Sequence, residues 1–331
     1  MSHHHDHAHP TVSAKPMSRR NLLTALAASS VAVGFGAAMA PSAASALGVA
    51  PAAVPTVSGG RRLVPVNRIG IQLFTIRDKV SSLGFRAVFE ELAGIGYSEV
   101  EFAGYTQGQL GAITPAEIRQ LLDDNGLRAV GSHVGLNPNN IDQQIETAKV
   151  LGMPHLGQGG AITNNNTVAG WTQAAQTWNQ MGEKAKAAGL KLYAHNHAGE
   201  FGFTSDDPSK RVYDLLWDEF DPDLVYFQMD VYWAYVGKHR SPGFEPIDYI
   251  TRDPRRFPLL HLKDGKINPA SANGYDIVEF GAGDIPFQQF LSQLRDRGQR
   301  YGMYEQDNAS ASGNSLGNAA RSYENIASLR G

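Results

Sequence analysis

Three short apolar segments of this sequence end in side chains that could bind a metal ion. Asp230, His261 and Glu305 each close a run of strand type. One imidazole and two carboxylates form a mixed nitrogen and oxygen ligand set that suits Mn²⁺, Mg²⁺, Co²⁺ or Zn²⁺. Taken singly, each residue is more often a loop cap, a satisfied core histidine or the partner of an arginine. Their recurrence at three strand ends favours one divalent metal site.

A fourth segment, Leu190 to Phe201, places two histidines and a glutamate at the end of another apolar run. We expect His195 to be the fourth metal ligand, with Glu200 as the alternative. His197 shares the side of His195, since side chains two positions apart in a strand point the same way. A neutral imidazole can accept a proton near neutral pH, so the sequence predicts His197 as a general base.

Other polar and aromatic residues near predicted strand ends could bind a sugar. Lys263 lies two residues beyond His261, where its charge could steady an enolate; an ordinary turn lysine explains it equally well. Trp233, Tyr232 and Phe203 could stack on a sugar face or simply pack a loop against the fold. The side chains predicted to meet sugar hydroxyls are Gln72, Glu101, His133, Gln158 and Gln306.

The elements that must position these groups alternate between apolar strands and amphipathic helices. Predicted strands begin at Ile69, Tyr97, Leu127, Met153, Leu190, Leu224, Leu259 and Gly302. The helix before the last strand is predicted over Phe287–Arg297. Eight such units fit a single (β/α)8 TIM barrel better than an open doubly wound sheet, and barrels carry their sites at the C-terminal strand ends. No Gly-x-Gly-x-x-Gly follows the first strand, so no nucleotide cofactor is expected.

Composition narrows the class of protein further. The chain has 331 residues, 42% of them hydrophobic, with a formal net charge of −3 and no cysteine. This length accommodates one large barrel over residues 67–331 without a second domain. A near-neutral chain without a basic cluster in its folded part is not expected to bind nucleic acid. The absence of cysteine excludes disulfides and thiolate ligands.

Residues 1–46 have the pattern of a targeting segment. Arg19 and Arg20 precede a mildly apolar run over Leu22–Ala40, and small residues follow at Ala44–Ala46. This resembles a twin-arginine export signal, which implies a folded protein exported to the periplasm or beyond. A permanent membrane anchor is less favoured because the run is rich in Ala, Ser and Gly, so no membrane span is expected after removal of the signal. Residues 47–66 are predicted to be a flexible linker.

Five motifs in order resemble one family. They are Gly70–Asp78, His195–His197 with Glu200-Phe201, Met229–Trp233, His261–Asp264 and Tyr304–Asp307. Together they resemble the sugar phosphate isomerase/epimerase superfamily, the xylose isomerase-like TIM barrels, from Arg68 to the C-terminus. The resemblance implies a metal-dependent enzyme that removes a proton beside the carbonyl of a sugar or polyol.

One position departs from the pattern of the family. Epimerases of this superfamily typically carry a glutamate at the end of the fifth strand, paired with that of the eighth, whereas this chain has His195 there. The change disfavours ketose epimerisation, which uses two bases, and favours β-elimination, which needs one base and a metal. The His-Asn-His motif is similar to that of barrels that cleave 3-keto-glycosides after a separate sugar 3-oxidoreductase has made the ketone.

Two alternatives remain open, and a third is disfavoured. An aldose–ketose isomerase or ketose epimerase would use Glu305 and Glu200 as its two bases. An exported protein that binds sugars without turnover would need no base. Apurinic endonucleases share the barrel, but they require a larger His/Glu cluster and a basic groove, which this sequence lacks.

Overall fold

The computed structural model describes residues 60–294 and 300–331. Its strands are β1 Ile69–Gln72, β2 Glu99–Phe102, β3 Arg128–Ser132, β4 His155–Gln158, β5 Lys191–His195, β6 Val225–Asp230, β7 Leu259–Leu262, β8 Asp264–Ile267, β9 Tyr275–Val278 and β10 Tyr301–Tyr304. Its helices are α1 Arg77–Ile95, α2 Pro115–Asp124, α3 Ile141–Leu151, α4 Val168–Ala187, α5 Val212–Glu219, α6 Val231–Arg240, α7 Pro246–Arg252, α8 Phe287–Ser292 and α9 Ser315–Ser328.

Eight parallel strands form one near-closed barrel. Their order is β3-β2-β1-β10-β7-β6-β5-β4. The two ends of this order meet at a parallel bridge between His133 and Gly157, where the Val134 N–H donates to the Gly157 carbonyl at 3.1 Å. The structure therefore confirms the predicted (β/α)8 architecture, with β10 as the eighth barrel strand.

Large and small side chains alternate inside the barrel. Tyr193 and Met303 fill its interior and are fully buried. A Cβ on Gly157 would overlap the Tyr193 ring, and a Cβ on Gly70 would overlap the Met303 side chain. Neighbouring strands thus carry glycine where a large residue crosses the barrel, and the interior is a packed core beneath the C-terminal ends.

The outer helices follow from local signals in the sequence. Helix α2, for example, begins with a capping box: the Glu117 N–H donates to Thr114 Oγ1 at 3.2 Å, and the Thr114 N–H donates to Glu117 Oε2 at 2.8 Å. One face of the helix then buries Ile118, Leu121 and Leu122 against the core. The last part of the predicted helix Phe287–Arg297 lies outside the described residues.

Two elements next to the barrel rim are not among the predicted ones. Helix α6 starts directly after β6, where Asp230 Oδ1 accepts a hydrogen bond from the Trp233 N–H at 2.9 Å. The antiparallel hairpin of β8 and β9 occupies the segment after Lys263, which the sequence suggests is a turn. Asp264 closes this insertion by accepting N–H bonds from Gly281 at 2.9 Å and Gly283 at 3.1 Å. Both interactions join the barrel rim to the segments that follow the strands.

The chain packs against the barrel before the predicted linker ends. Leu63 and Val64 are buried, and the Leu63 N–H donates to the Leu329 carbonyl at 3.1 Å. Packing thus starts inside the predicted 47–66 segment. The predicted export signal over residues 1–46 lies outside the described residues. Across residues 60–294 and 300–331, no helix combines the length and apolarity needed to cross a membrane.

Candidate metal centre

Four predicted ligands converge at the C-terminal end of the barrel. His195 ends β5, Asp230 ends β6, His261 lies in β7 and Glu305 follows β10. Their potential ligand atoms all lie within 4.8 Å of one another, and all four side chains are buried. Glu200, the alternative ligand, lies outside this group. The barrel therefore gathers the expected set, because each strand delivers its final inward-facing residue to the same axial point.

Lys263 is buried among carboxylates rather than exposed in a turn. Its Nζ lies 3.0 Å from Asp230 Oδ2, 2.8 Å from Glu305 Oε2 and 3.0 Å from Asp307 Oδ1. Side chains at i and i+2 of a strand share a face, so His261 and Lys263 enter the same space. The ammonium group therefore offsets the mutual repulsion of the carboxylates around it.

These contacts shift the titration of each group. Burial would lower the pKa of Lys263, but the carboxylates of Asp230, Glu305 and Asp307 outweigh burial and raise it. Burial raises the pKa of Asp230 to about 6, although Lys263 and His261 oppose the change. Glu305 is buried as well, yet Lys263 and His261 hold its pKa well below the ordinary value.

Glu101 lies on the other side of the His261 ring. Glu101 Oε2 is 2.6 Å from His261 Nε2, while His261 Nδ1 is 2.8 Å from Glu305 Oε2. Burial disfavours a charged ring, but the carboxylates of Glu101 and Glu305 raise the pKa of His261 to about 10. Burial likewise opposes ionisation of Glu101, but His133 and His261 lower its pKa to about 2. Glu101 is therefore an ionised carboxylate beneath the centre.

A glutamine connects Glu101 to the other two imidazoles. Gln228 Nε2 donates to Glu101 Oε1 at 2.7 Å, while Gln228 Oε1 is 2.7 Å from His133 Nε2 and 3.0 Å from His195 Nδ1. Tyr193 donates its hydroxyl to the same Glu101 oxygen. Burial and the neighbouring imidazoles of His261 and His133 lower the pKa of His195, so its ring is neutral.

A cavity of about 470 Å³ opens above the centre. Its wall includes His197, together with Phe74, His133, Gln158, His195 and Glu305. Burial lowers the pKa of the His197 imidazole, against the opposing effect of Glu200. Glu200 Oε2 accepts the backbone N–H of His197 at 2.9 Å and so fixes the turn that carries this histidine.

Only some of the six predicted sugar-binding residues line the cavity. His133 and Gln158 line the cavity, and Gln158 is held by the Leu136 N–H at 3.0 Å. Gln72, Glu101 and Gln306 are buried. Trp233 is half-buried and sets its ring edge-on to that of His197, with 5.5 Å between centroids.

The other two aromatic residues considered for sugar stacking, Tyr232 and Phe203, lie in different surroundings. Tyr232 is fully buried, and its hydroxyl donates to the Tyr275 carbonyl at 3.3 Å. Phe203 is 40% exposed and packs under the guanidinium of Arg211. Tyr232 therefore packs the hairpin against the barrel.

The four ligands fit a divalent cation by their chemistry and by one orphaned atom. Asp230 Oδ2 is closed to solvent and has no well-directed hydrogen bond, although the Lys263 ammonium lies 3.0 Å away. Two imidazoles, which bind a metal in their neutral form, and two carboxylates match the ligand preferences of Mn²⁺, Co²⁺ and Zn²⁺. The residues present are thus suited to hold one metal ion.

Three residues that organise this site are not among those predicted from the sequence: Asn196, Gln228 and Asp307. Asn196 stands inside the His-Asn-His motif, and Gln228 precedes Asp230 by two positions on the same strand face. Those positions are the signal that could have marked them. Their partners are distant in the chain, so the contacts themselves become visible only in the folded barrel.

Comparison with known proteins gives one family match. Residues 89–330 match a family described as xylose isomerase-like TIM barrel. Inosose dehydratase of Clostridium perfringens is 27% identical in an alignment over 138 residues that covers 38% of this chain and 43% of that relative. The aligned region therefore spans less than half of the curated relative.

Solved structures share the fold. A sugar phosphate isomerase/epimerase from Parabacteroides distasonis superposes with a TM-score of 0.61 at 22% identity, covering 84% of this chain and 98% of that one. A probable 3-DHS dehydratase involved in petrobactin synthesis, from Bacillus anthracis, superposes with a TM-score of 0.54 at 11% identity, covering 76% and 97%.

Proposed function

We propose that this chain, which belongs to the xylose isomerase-like TIM barrel family, is a metal-dependent sugar lyase. Its best-supported reaction is β-elimination on a 3-keto-glycoside, in which the substituent at the anomeric carbon leaves. The proposal rests on one observation: two members of a buried group of four potential metal ligands, His195 and Glu305, line a cavity that His197 also lines.

The residues that would hold the cation are His195, Asp230, His261 and Glu305. When bound there, a divalent cation supplies Lewis-acid polarisation of a ketone oxygen, which makes the adjacent C–H bond more acidic. His195 and Glu305 also line the cavity, so a sugar ring placed in the cavity lies next to the ligand set.

His197 is the proposed base. It lines the cavity two residues beyond His195, and the hydrogen bond from its N–H to Glu200 holds its backbone. The ring takes the proton from carbon 2 of the sugar, and the electron pair of that bond becomes the enolate of the 3-ketone.

In the second half of the reaction the enolate collapses and expels the glycosidic oxygen. The ketone forms again, a double bond forms between carbons 1 and 2, and the bond from carbon 1 to the glycosidic oxygen breaks. The departing oxygen takes up one proton, the one that His197 removed from carbon 2, which leaves the imidazole ready for another turnover. Lys263, fixed among three carboxylates, is the proposed source of positive charge near the enolate.

Dehydration of a cyclic polyol ketone is the second candidate. It is the same elimination with water instead of an alcohol as the leaving group. The match to inosose dehydratase and the structural likeness to a probable 3-DHS dehydratase favour it. Aldose–ketose isomerisation, the earlier alternative, requires a second base; Glu200 is buried and engaged by the His197 N–H.

We further propose that the protein is exported by its twin-arginine-type leader and acts on glycosides outside the cytoplasm. A 3-ketone is not an ordinary feature of a glycoside, so an oxidoreductase specific for the 3-hydroxyl must supply the substrate. Detection of the mature protein in the periplasmic or extracellular fraction, and its loss from that fraction on changing Arg19 and Arg20 to Lys, tests the export.

The direct test of the reaction uses a 3-keto-glucoside with a chromogenic leaving group. The full-length protein loaded with Mn²⁺ should release the chromophore, and a chelator should abolish the release. His197→Gln should slow release by about 10²- to 10⁴-fold, as expected for loss of a general base, while Mn²⁺ affinity is retained.

His239→Gln is the matched control, because His239 is an exposed histidine near the end of α6. It should release the chromophore at the wild-type rate. No release by Mn²⁺-loaded wild-type protein would overturn the glycoside reaction, and conversion of a free aldose into a ketose by that protein would favour isomerisation instead.

A further inference from the structure

We propose that Glu101 is a positioning residue that fixes which ring nitrogen of His195, His261 and His133 carries a proton. It thereby aims one unprotonated nitrogen of each ligand histidine at the metal. This inference rests on the metal site of the proposed function, and it assigns to Glu101 a role other than contact with a sugar.

Glu101 accepts hydrogen bonds at both of its carboxylate oxygens. It is fully buried, and its Oε2 lies 2.6 Å from His261 Nε2. Its Oε1 receives the Tyr193 hydroxyl and the Gln228 amide. The Tyr193 hydroxyl and the Gln228 NH₂ group are both oriented as donors to Oε1, and His261 Nε2 faces Oε2 at donor distance, so Glu101 is the acceptor of all three.

The orientation of Gln228 extends this pattern to two more imidazoles. Because its NH₂ group faces Glu101, its carbonyl Oε1 faces the opposite way. There it lies 2.7 Å from His133 Nε2 and 3.0 Å from His195 Nδ1. A carbonyl oxygen only accepts, so both of these ring nitrogens must carry a hydrogen.

The same contacts orient the two ligand histidines. A His195 ring that carries its single ring hydrogen on Nδ1, towards Gln228, has its lone pair on Nε2 and binds a cation through that atom. His261 donates from Nε2 to Glu101, which leaves Nδ1 as its ligand atom. That atom lies 2.8 Å from Glu305 Oε2 and 3.8 Å from Asp230 Oδ2, inside the ligand set.

His133 is the third ring in this arrangement. Its Nε2 hydrogen is donated to Gln228, so its Nδ1 is the acceptor, and His133 lines the cavity. Nδ1 also lies against Gly159, where a Cβ would overlap it. One buried carboxylate thus orients two metal ligands and one acceptor for a substrate hydroxyl. Such outer partners commonly change metal affinity 10- to 100-fold when removed.

The test reads tautomers and metal affinity without any substrate. The protein is the full chain with His3, His4, His5, His7 and His9 changed to Ala, because those residues could bind metal loosely on their own. Its histidines are labelled with ¹⁵N, and long-range ¹⁵N–¹H spectra of the metal-free form identify the protonated ring nitrogens. Mn²⁺ affinity is measured by calorimetry.

In the wild-type background, His195 should be protonated on Nδ1 and His133 on Nε2. In Glu101→Gln, residue 101 can donate as well as accept, so Gln228 is free to turn its amide around. His195 should then carry its proton on Nε2 in a large fraction of molecules, and Mn²⁺ affinity should fall by about 10- to 100-fold.

Tyr193→Phe is the matched control. It removes another hydrogen bond to the same carboxylate but leaves the Glu101–Gln228 pair in place. Mn²⁺ affinity should then stay within about threefold of wild type, because the outer partners of the ligand histidines are unchanged.

A wild-type His195 protonated on Nε2 would overturn the inference, as would Mn²⁺ affinity of Glu101→Gln within about threefold of wild type. If Glu101→Gln does not fold, Gln228→Met removes the acceptor of His195 and should cause the same loss; unchanged affinity there also overturns it. The wild-type protein could also show the expected tautomers and yet bind no Mn²⁺. That result would refute the metal in the proposed function and support the hydrogen-bond network around Glu101.

Discussion

Asn196 and Asp230 exchange two hydrogen bonds across the ends of neighbouring strands. Asn196 Nδ2 donates to the Asp230 carbonyl at 3.3 Å, and the Asp230 N–H donates to Asn196 Oδ1 at 3.2 Å. Both residues are buried. The side-chain amide therefore extends the hydrogen bonding between β5 and β6 by one more pair. It fixes the distance between the two strand ends, which carry His195 and Asp230.

Asn196→Ala should weaken the metal site by removing this pair of hydrogen bonds. We expect Mn²⁺ affinity to fall by about tenfold, and the free energy of unfolding to fall by about 1–3 kcal/mol because two buried backbone groups lose their partners. Calorimetry and urea denaturation measure the two effects. Asn179 makes the same two-bond bridge, to the Glu219 carbonyl and the Asp221 N–H, away from the site. Asn179→Ala is therefore the control. We expect the two variants to lose similar stability, but only Asn196→Ala to lose Mn²⁺ affinity.

Asp230→Ala and Glu305→Ala should each abolish measurable Mn²⁺ binding and turnover together, since each removes a charged ligand from a buried set. Asp307→Asn is the control, because Asp307 touches Lys263 but is outside the ligand set. It should bind one equivalent of Mn²⁺. Full metal stoichiometry in both alanine variants would contradict the ligand assignment.

Glu99 should make stability depend on pH at the opposite end of the barrel. Burial raises its pKa to about 7, against the opposing effects of Arg128 and Arg68. The folded state therefore binds this proton more tightly than the unfolded state, so stability falls as pH rises from about 4.5 to about 7. Above about pH 7 the loss is complete, and the free energy of unfolding is lower by about 3 kcal/mol.

Glu99→Gln removes that titration, so the variant should gain stability relative to wild type as pH rises from 5 to 8. Urea denaturation at several pH values measures the difference. Glu117→Gln provides the opposite sign: hydrogen bonds from the Thr114 backbone and side chain lower the pKa of Glu117, so its contribution is present at neutral pH and lost on acidification. A pH-independent effect of Glu99→Gln would refute the prediction.

Gly157→Ala should destabilise the barrel, because its Cβ would overlap the fully buried ring of Tyr193. Overpacking of this kind costs about 1–3 kcal/mol. Gly94→Ala makes the same chemical change in α1, where no atom lies within 4 Å of the new Cβ, and should leave stability equal or slightly higher. Equal free energies of unfolding for the two variants would contradict this prediction, because the barrel interior would then accommodate the added methyl group.

The sequence was sufficient for the barrel and for the convergence of the four ligands, since apolar strand runs end on Asp230, His261 and Glu305 with recognisable chemistry. It was insufficient for helix α6, which is nearly as apolar on one side as on the other and so lacks a periodic signal. It also missed the β8–β9 hairpin, because Asp264 closes it through Gly281 and Gly283, far along the chain.

The surroundings of the ligands were the least predictable part of the site. Glu101 falls near a strand end, and sequence alone suggests that it reaches a sugar, whereas in the fold it lies behind His261. Whether a polar residue at a strand end faces the cavity or the barrel interior depends on strand stagger around the barrel. Stagger is a property of all eight strands together, so no single segment encodes it.

The bridge between His133 and Gly157 gives the barrel a preferred line of opening. Elsewhere around the described sheet, neighbouring strands share ladders of three or more paired residues, whereas β3 and β4 share this bridge beside the cavity. Local opening begins where the fewest backbone hydrogen bonds resist it. We therefore expect local opening at this bridge, beside the cavity, before any opening on the β5–β6–β7–β10 side, which carries the four potential ligands on longer ladders.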